Sequence, residues 1–247
     1  MVEPNGRRGP TKASLTVVLI HGAFADASSW RAVYDALRFE GRRVLVPPTP
    51  LRGLASDAGY VRALTRAIDG RVLLVGHSYG GAVATVAGVA ENVAGLVYVA
   101  GFVPDEGETL AALQSRFPAT PLASHLEPRE TPDGSEVFMS PVAFGEVFAA
   151  DLDPADAAFM AVSQRPVAAN AFEEPAGAAA WRSKKAWAVL PTADGAIHPD
   201  LHRFAFDRAG ARVTEVPGAS HVVMISRPGL VAAVIDEAVV ACQAIPY

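Results

Sequence analysis

The stretch that decides the fold is Val72-Leu73-Leu74-Val75-Gly76-His77-Ser78-Tyr79-Gly80-Gly81. The apolar run that opens it predicts a buried β-strand, and the small apolar residues that follow it predict a helix reaching Ala90. Between the two, Ser78 stands in a Gly-x-Ser-x-Gly pattern. Glycines on both sides permit a tight, strained strand-to-helix turn, from which a serine hydroxyl can project. The helix N-terminus behind the serine stabilises negative charge. The pattern therefore predicts a nucleophilic serine at the edge of a sheet.

Short runs rich in Val, Leu and Ile alternate with helical segments along most of the chain. This alternation is typical of a parallel sheet covered on both faces. We predict an α/β fold with a doubly wound, mostly parallel sheet of about six strands. Tyr60, Leu64, Ala67 and Ile68 recur at helical spacing and predict the inner face of one of the helices. The predicted strands are Leu15–Ile20, Val44–Val46, Val72–Val75, Leu96–Ala100, Ala186–Leu190 and Val213–Val216.

The alternation lapses between residues 104 and 183, where prolines recur and short helical patterns lie between them. No strand signal stands out in this segment, and its length indicates a structured insertion or lid. We therefore divide the chain into a flexible N-terminal arm (1–13), a core (14–103 and 184–247) and a helical cap (104–183).

The composition excludes several classes of protein. Of the 247 residues, 51% are hydrophobic and 19% are charged, which is enough apolar side chain for a large core and argues against disorder. With a net charge of −5, the chain lacks the basic surface typical of nucleic-acid binders, and its three lysines are too few for a polybasic membrane-binding patch. The N-terminus has no signal-peptide pattern, so we expect a cytoplasmic protein. The single cysteine, Cys242, can form no internal disulfide. The oligomeric state is open, with a homodimer as one option.

A serine nucleophile needs a base and a group that orients this base. Asp194 follows the fifth predicted strand and His221 follows the last. Both lie at carboxyl ends of strands, where open α/β sheets place their ligands. We predict Ser78 as the nucleophile, His221 as the base and Asp194 as the orienting acid. Asp105, after the fourth strand, and Asp200 are the alternative acids.

The anion that forms on an attacked carbonyl oxygen needs backbone N–H donors. We predict that these come from Tyr79, directly after the nucleophile, and from Ala23 in the loop after the first strand. Aromatic side chains near the serine and in the cap are predicted to line an apolar pocket: Phe24, Tyr79, Phe138, Phe144 and Trp181.

The remaining histidines and glycines give no sign of a cofactor. His21 and His77 are predicted as residues that support the site, whereas His125, His198 and His202 are expected at the surface. No pair of histidines has the spacing of a zinc protease, so no metal site is predicted. The glycines lack the spacing of a nucleotide-binding loop.

Three segments now resemble the α/β-hydrolase superfamily: Val18-Leu19-Ile20-His21-Gly22-Ala23-Phe24, Gly76-His77-Ser78-Tyr79-Gly80-Gly81 and Gly218-Ala219-Ser220-His221. They are most similar to its small esterase branch, which includes plant methyl-ester esterases and hydroxynitrile lyases. The order Ser78, Asp194, His221 is the order expected in that superfamily. The resemblance implies a cap over the active site and a reaction that needs neither cofactor nor metal.

Departures from the family's patterns narrow the expected activity. Hydroxynitrile lyases of this branch carry a threonine where Gly22 stands and a lysine where Val222 stands, so cyanohydrin cleavage is not expected. A serine at position 78 also argues against dehalogenases and epoxide hydrolases, which use an aspartate there. We expect a serine esterase that acts on a small, mostly apolar carboxylic ester. A perhydrolase, a lactonase, a carbon–carbon hydrolase and a non-catalytic receptor are the alternatives.

Overall fold

The structure, a computed structural model, describes residues 15–132 and 134–244. The predicted arm 1–13 lies outside this part of the chain. The strands are β1 (Leu15–Ile20), β2 (Arg43–Leu45), β3 (Arg71–His77), β4 (Val93–Val99), β5 (Leu126–Thr131), β6 (Gly134–Met139), β7 (Val167–Ala168), β8 (Lys185–Pro191) and β9 (Arg212–Val216). The α-helices are α1 (Arg31–Phe39), α2 (Leu54–Arg66), α3 (Tyr79–Ala87), α4 (Leu110–Gln114), α5 (Pro141–Phe148), α6 (Pro154–Ser163), α7 (Pro199–Arg208), α8 (Val223–Ser226) and α9 (Pro228–Gln243).

A six-stranded parallel sheet forms the core, in the order β2-β1-β3-β4-β8-β9. Every residue of β1 is buried, as is every residue of β3 after the first, because the sheet is covered on both faces. Helix α3 packs with α2, and α9 packs with α1. The predicted fold class and the number of parallel strands are confirmed.

The order of the strands determines where a site can form. After β1 the chain adds β2 on one side, and then returns to add β3 on the other side of β1. A crevice opens at such a reversal, outside the carboxyl ends of the strands. The loop that begins at His21 and the turn at Ser78 leave β1 and β3 at this place.

The insertion between β4 and β8 is not purely helical. It contains α5 and α6 near the predicted helical pieces, but also an antiparallel sheet of β5, β6 and β7. These strands were not predicted. Strand β5, for example, is mostly exposed and carries Pro128, so it shows no apolar alternation. The extent of the cap, 104–183, stays a prediction.

Helix α2 buries a different face from the one predicted. Its inner side carries Leu54, Asp57 and Val61, whereas Tyr60 is exposed. The helix begins well before the predicted apolar stripe, and a carboxylate occupies one of its inner positions. Asp57 is buried there because it has polar partners in the site described below.

Candidate active site

Ser78 occupies a strained turn between β3 and α3. Its backbone has φ 53° and ψ −123°, and few non-glycine residues adopt such a positive φ. The turn is held from both sides, since the Ser78 N–H donates to the Val99 carbonyl and the Ser78 carbonyl accepts from the N–H groups of Gly81 and Phe102. Ser78 is 7% exposed and lines a cavity. The turn thus presents the hydroxyl to that cavity.

The glycines of the turn are required by close backbone contacts. A Cβ at Gly80 would lie 2.5 Å from the Ile20 carbonyl oxygen and 2.7 Å from that of His21. A Cβ at Gly76 would lie 2.3 Å from the Gly80 carbonyl oxygen. Because these neighbours are backbone atoms, α3 can reach its place against the sheet only with glycine at both positions.

We expect Gly80→Ala to destabilise the fold by about 3 kcal/mol or more, because the new methyl group forces α3 away from β1. Urea unfolding of both proteins measures the difference. Gly229→Ala in α9 is the matched control, since a Cβ there meets no atom within 4 Å. The control should be neutral or slightly stabilising, and an equal loss in both variants would contradict this account of the turn.

Asp194 and His221 form a buried pair. The Nδ1 of His221 lies 2.8 Å from the Oδ2 of Asp194, and both side chains are fully buried. The other carboxylate oxygen accepts the backbone N–H groups of Ala196 and Ile197. The Nε2 of His221 is buried and has no hydrogen-bond partner among the described residues, Ser78 included. A hydrogen bond between a serine nucleophile and its histidine base is often long without a substrate and tightens when a substrate binds.

The pKa of Asp194 lies well below its ordinary value. Burial alone would raise the pKa of this carboxyl, but His221 and His202 outweigh burial by attracting and hydrogen-bonding the charged form. Asp194 is therefore an anion at neutral pH and can only accept hydrogen bonds. The proton between Asp194 and His221 thus belongs to Nδ1 of the imidazole, and Nε2 is the nitrogen with a free lone pair.

The alternative acids are occupied elsewhere. Asp105 forms a paired salt bridge with the Arg182 guanidinium, at 2.9 and 2.7 Å. Asp200 pairs with Arg203 on the surface of α7. The structure brings neither of these carboxylates into contact with His221.

The loop after β1 is shaped by a buried histidine. The Thr49 N–H donates to the Nε2 of His21, so the ring proton is on Nδ1, which donates to the Gly22 carbonyl. Burial lowers the pKa of His21, which favours this neutral form. The Phe24 N–H donates to the Arg165 carbonyl of the insertion, so this N–H is occupied. Ala23, the predicted donor, precedes it and lines the cavity.

The second predicted donor, the Tyr79 N–H, belongs to the first turn of α3. N–H groups there have no partner within the helix. The side chain of Tyr79 was predicted to line the pocket, and this is wrong. Its hydroxyl donates to Asp57 Oδ2 at 2.8 Å, and the ring is fully buried. Burial raises the pKa of both groups, and Asp57 raises that of Tyr79 further. This contact anchors the first residue of α3.

His77 contacts the backbone of His221. Its Nε2 lies 3.0 Å from the His221 carbonyl oxygen and donates to it. Burial and the nearby His221 hold the pKa of His77 well below its ordinary value, so the ring is neutral. The residue before Ser78 thus fixes the backbone of His221.

A cavity of about 530 Å³ opens above Ser78. Core and insertion both contribute to its wall, which is mostly apolar. Phe24, which was predicted to line a substrate pocket, lies in this wall. Among its apolar residues are Phe24, Phe102, Phe117, Leu122, Phe148 and Phe172.

Three further aromatic residues predicted for the pocket lie elsewhere. Phe138 lies under the guanidinium of Arg129 on the small sheet. Phe144 is fully buried against Phe148, behind the wall of the cavity. The indole N–H of Trp181 donates to the Pro104 carbonyl. None of the three is among the lining residues. The prediction failed because the path of the insertion could not be inferred from its composition.

His202 was expected at the surface, and this is wrong. It is fully buried on α7, with Nε2 2.9 Å from Asp194 Oδ2. Its spacing to Phe206, four residues later, is a signal that could have placed it on the inner face of that helix. A histidine on the buried face of a helix usually has a polar partner. Here the partner is Asp194, which was predicted as the acid.

No group of three or more potential metal ligands occurs in residues 15–132 and 134–244. Within the same residues, no helix has the length and hydropathy needed to cross a membrane.

Comparison with known proteins identifies the class. A model of the alpha/beta hydrolase family matches residues 17–234. The chain belongs to this family, and the resemblance drawn from its motifs is confirmed.

The sequence relative matches a smaller part of the chain than the family model does. The carbendazim hydrolyzing esterase of Nocardioides sp. (strain SG-4G) is 39% identical over 112 residues, which cover 39% of this chain and 46% of that protein. The match thus spans about half the length of that relative.

Solved structures share the fold at low sequence identity. Polyneuridine aldehyde esterase has a TM-score of 0.78 at 20% identity, over 91% of this chain and 99% of that chain. A pyrethroid hydrolase from Sphingobium faniae JZ-2 has a TM-score of 0.74 at 21% identity, over 94% and 99%. Tomato methylketone synthase I in complex with 2-tridecanone has a TM-score of 0.77 at 18% identity, over 92% and 98%.

Proposed function

We propose that this protein is a serine hydrolase that cleaves a mostly apolar carboxylic ester through an acyl-enzyme intermediate. The observation that carries the proposal is the arrangement at one end of the sheet. Ser78 projects from a strained turn into a cavity, and a buried Asp194–His221 pair supplies a base whose Nε2 is free. The word esterase in the names of a sequence relative and a structural neighbour supports the same class of reaction.

In the first half of the proposed reaction, His221 Nε2 takes the Ser78 hydroxyl proton as Oγ attacks the ester carbonyl carbon. The carbonyl oxygen becomes an oxyanion, which the N–H groups of Ala23 and Tyr79 bind. His221 then gives its proton to the leaving alkoxide as the carbon–oxygen bond breaks. The products of this half are an alcohol and a Ser78 acyl ester.

In the second half, water replaces the alcohol. His221 Nε2 takes a proton from the water as its oxygen attacks the acyl carbon, and the tetrahedral intermediate forms again. Collapse returns the proton to Ser78 and releases a carboxylic acid. Asp194 stays ionised throughout and stabilises the imidazolium that appears in each half. All proton transfers in this scheme use groups of this chain, so it requires neither a metal nor a cofactor.

The mostly apolar wall of the cavity supports an apolar substrate. Two of its polar side chains, Gln114 and Thr120, already have a hydrogen-bond partner, since both donate to the Ala196 carbonyl. A cavity of about 530 Å³ is large enough to enclose most of a drug-sized molecule.

Turnover of a substrate panel tests the proposal. The panel contains p-nitrophenyl acetate, p-nitrophenyl butyrate, a lactone and a β-diketone. We expect the two esters to be hydrolysed, with the higher kcat/KM for butyrate because its acyl chain buries more apolar surface. Turnover of the β-diketone or the lactone alone would contradict ester hydrolysis and assign the triad to another reaction. No turnover of any of them would favour a receptor.

A further inference from the structure

His202 has no role in the reaction described above, yet it contacts the catalytic acid directly. Its Nε2 lies 2.9 Å from the Oδ2 of Asp194, and His221 Nδ1 lies 2.8 Å from the same oxygen. The side chains of all three residues are fully buried. Two imidazoles therefore share one carboxylate oxygen, in a place that water does not reach.

The protonation of both rings follows from the carboxylate. An ionised carboxylate only accepts, so each ring carries its proton on the nitrogen that faces Asp194. For His221 this is Nδ1, which leaves Nε2 for the base. For His202 it is Nε2, and its Nδ1 remains buried without a partner among the described residues. A ring that packs only as a core filler would not require a buried nitrogen to remain unpaired, and an apolar side chain would fill the space without this cost.

The helix holds the His202 ring in place. The ring stacks on Phe206 with centroids 5.3 Å apart and planes 17° from parallel. Phe206 stacks in turn on Tyr98 of β4. His202 is therefore a rigid donor, and it does not line the cavity.

We infer that His202 is a positioning residue: its Nε2–H holds the Asp194 carboxylate in the rotation that receives the His221 Nδ1–H. The inference rests on the proposed function. Without this donor, Asp194 keeps the two backbone N–H groups on Oδ1, but His221 alone defines the position of Oδ2. The imidazolium then forms against a less ordered carboxylate, which raises the barrier of the chemical steps and leaves substrate binding unchanged.

Variants that keep or remove the donor test this role. In His202→Leu the donor is absent, and we expect kcat for p-nitrophenyl butyrate to fall about 10- to 100-fold with KM changed by less than about twofold. In His202→Gln the amide nitrogen replaces Nε2 at a similar reach, and kcat should return to within about threefold of the native value. In His202→Asn the amide is too short to reach Asp194, so this variant should be as slow as His202→Leu.

Val239→Ala is the packing control. Val239 is buried on α9 and takes no part in the site, so the loss of its apolar volume should lower the melting temperature while kcat stays within about threefold of native. If His202→Leu does not fold, the comparison of His202→Gln with His202→Asn decides the question. Native kcat in a folded His202→Leu or His202→Asn, equal losses in the Gln and Asn variants, or an equal kcat loss in Val239→Ala would overturn the inference. Failure of the native chain to hydrolyse the ester would instead overturn the proposed function.

Discussion

Ser78→Ala is expected to lower kcat/KM for p-nitrophenyl butyrate by about five to six orders of magnitude. The substitution removes the atom that forms the acyl bond in the proposed reaction. Alanine keeps the Cβ, and the turn is fixed by the backbone hydrogen bonds of residue 78 rather than by its side chain. The variant should therefore unfold at the native urea concentration, so that the loss reports chemistry and not stability.

Ser163→Ala is the matched control for this variant. The Ser163 hydroxyl is exposed and donates within its own helix, α6, to the Phe159 carbonyl. Its kcat/KM should stay within about twofold of native. A Ser78→Ala protein that keeps more than about a tenth of the native activity would contradict a serine nucleophile at this position.

Asp194→Asn is expected to lower kcat by about four orders of magnitude. All four hydrogen bonds to this side chain are accepted by its oxygens, two on each. Asparagine has one oxygen, so in either rotation its NH₂ group opposes donors. If the NH₂ faces the imidazoles, Nδ1 of His221 must accept a hydrogen bond, so the ring proton moves to Nε2. Nε2 then has no lone pair with which to take the Ser78 proton. If it faces the loop, two backbone N–H groups lose their acceptor, which costs about 1–3 kcal/mol of folding free energy for each.

Asp105→Asn tests whether Asp105, rather than Asp194, is the acid that orients His221. That carboxylate pairs with Arg182 at the surface, so its replacement should leave kcat within about threefold of native. Stopped-flow or steady-state assays of both variants at neutral pH measure the contrast. Full activity in Asp194→Asn together with inactive Asp105→Asn would reverse the assignment of the acid.

The core of the fold could be predicted because its signals are local. Strand β3 is a continuous apolar run, and the glycines around Ser78 are required by backbone contacts that a short motif encodes. Asp194 and His221 follow strands, and parallel strands bring their carboxyl ends to one edge whatever the loops between them do. This is why three residues far apart in sequence could be assigned to one site.

The features that were missed depend on contacts between distant segments. Asp57 takes an inner position on α2 because it binds Tyr79, and His202 is buried because it binds Asp194. A lone polar residue in a helix predicts exposure until its partner is known. The aromatic residues of the insertion could not be assigned to the cavity for the same reason, since their direction follows from a small sheet whose strands carry no apolar alternation.

Mass mapping after reaction with a fluorophosphonate tests whether Ser78 is an activated nucleophile. The phosphorus of the probe takes the place of the ester carbonyl carbon, and only an activated nucleophile displaces its fluoride. We expect a single adduct per native chain, located on Ser78, and no adduct on Ser78→Ala under the same conditions. Absence of an adduct on the native chain, or equal labelling of the Ser78→Ala variant, would contradict the serine-hydrolase mechanism.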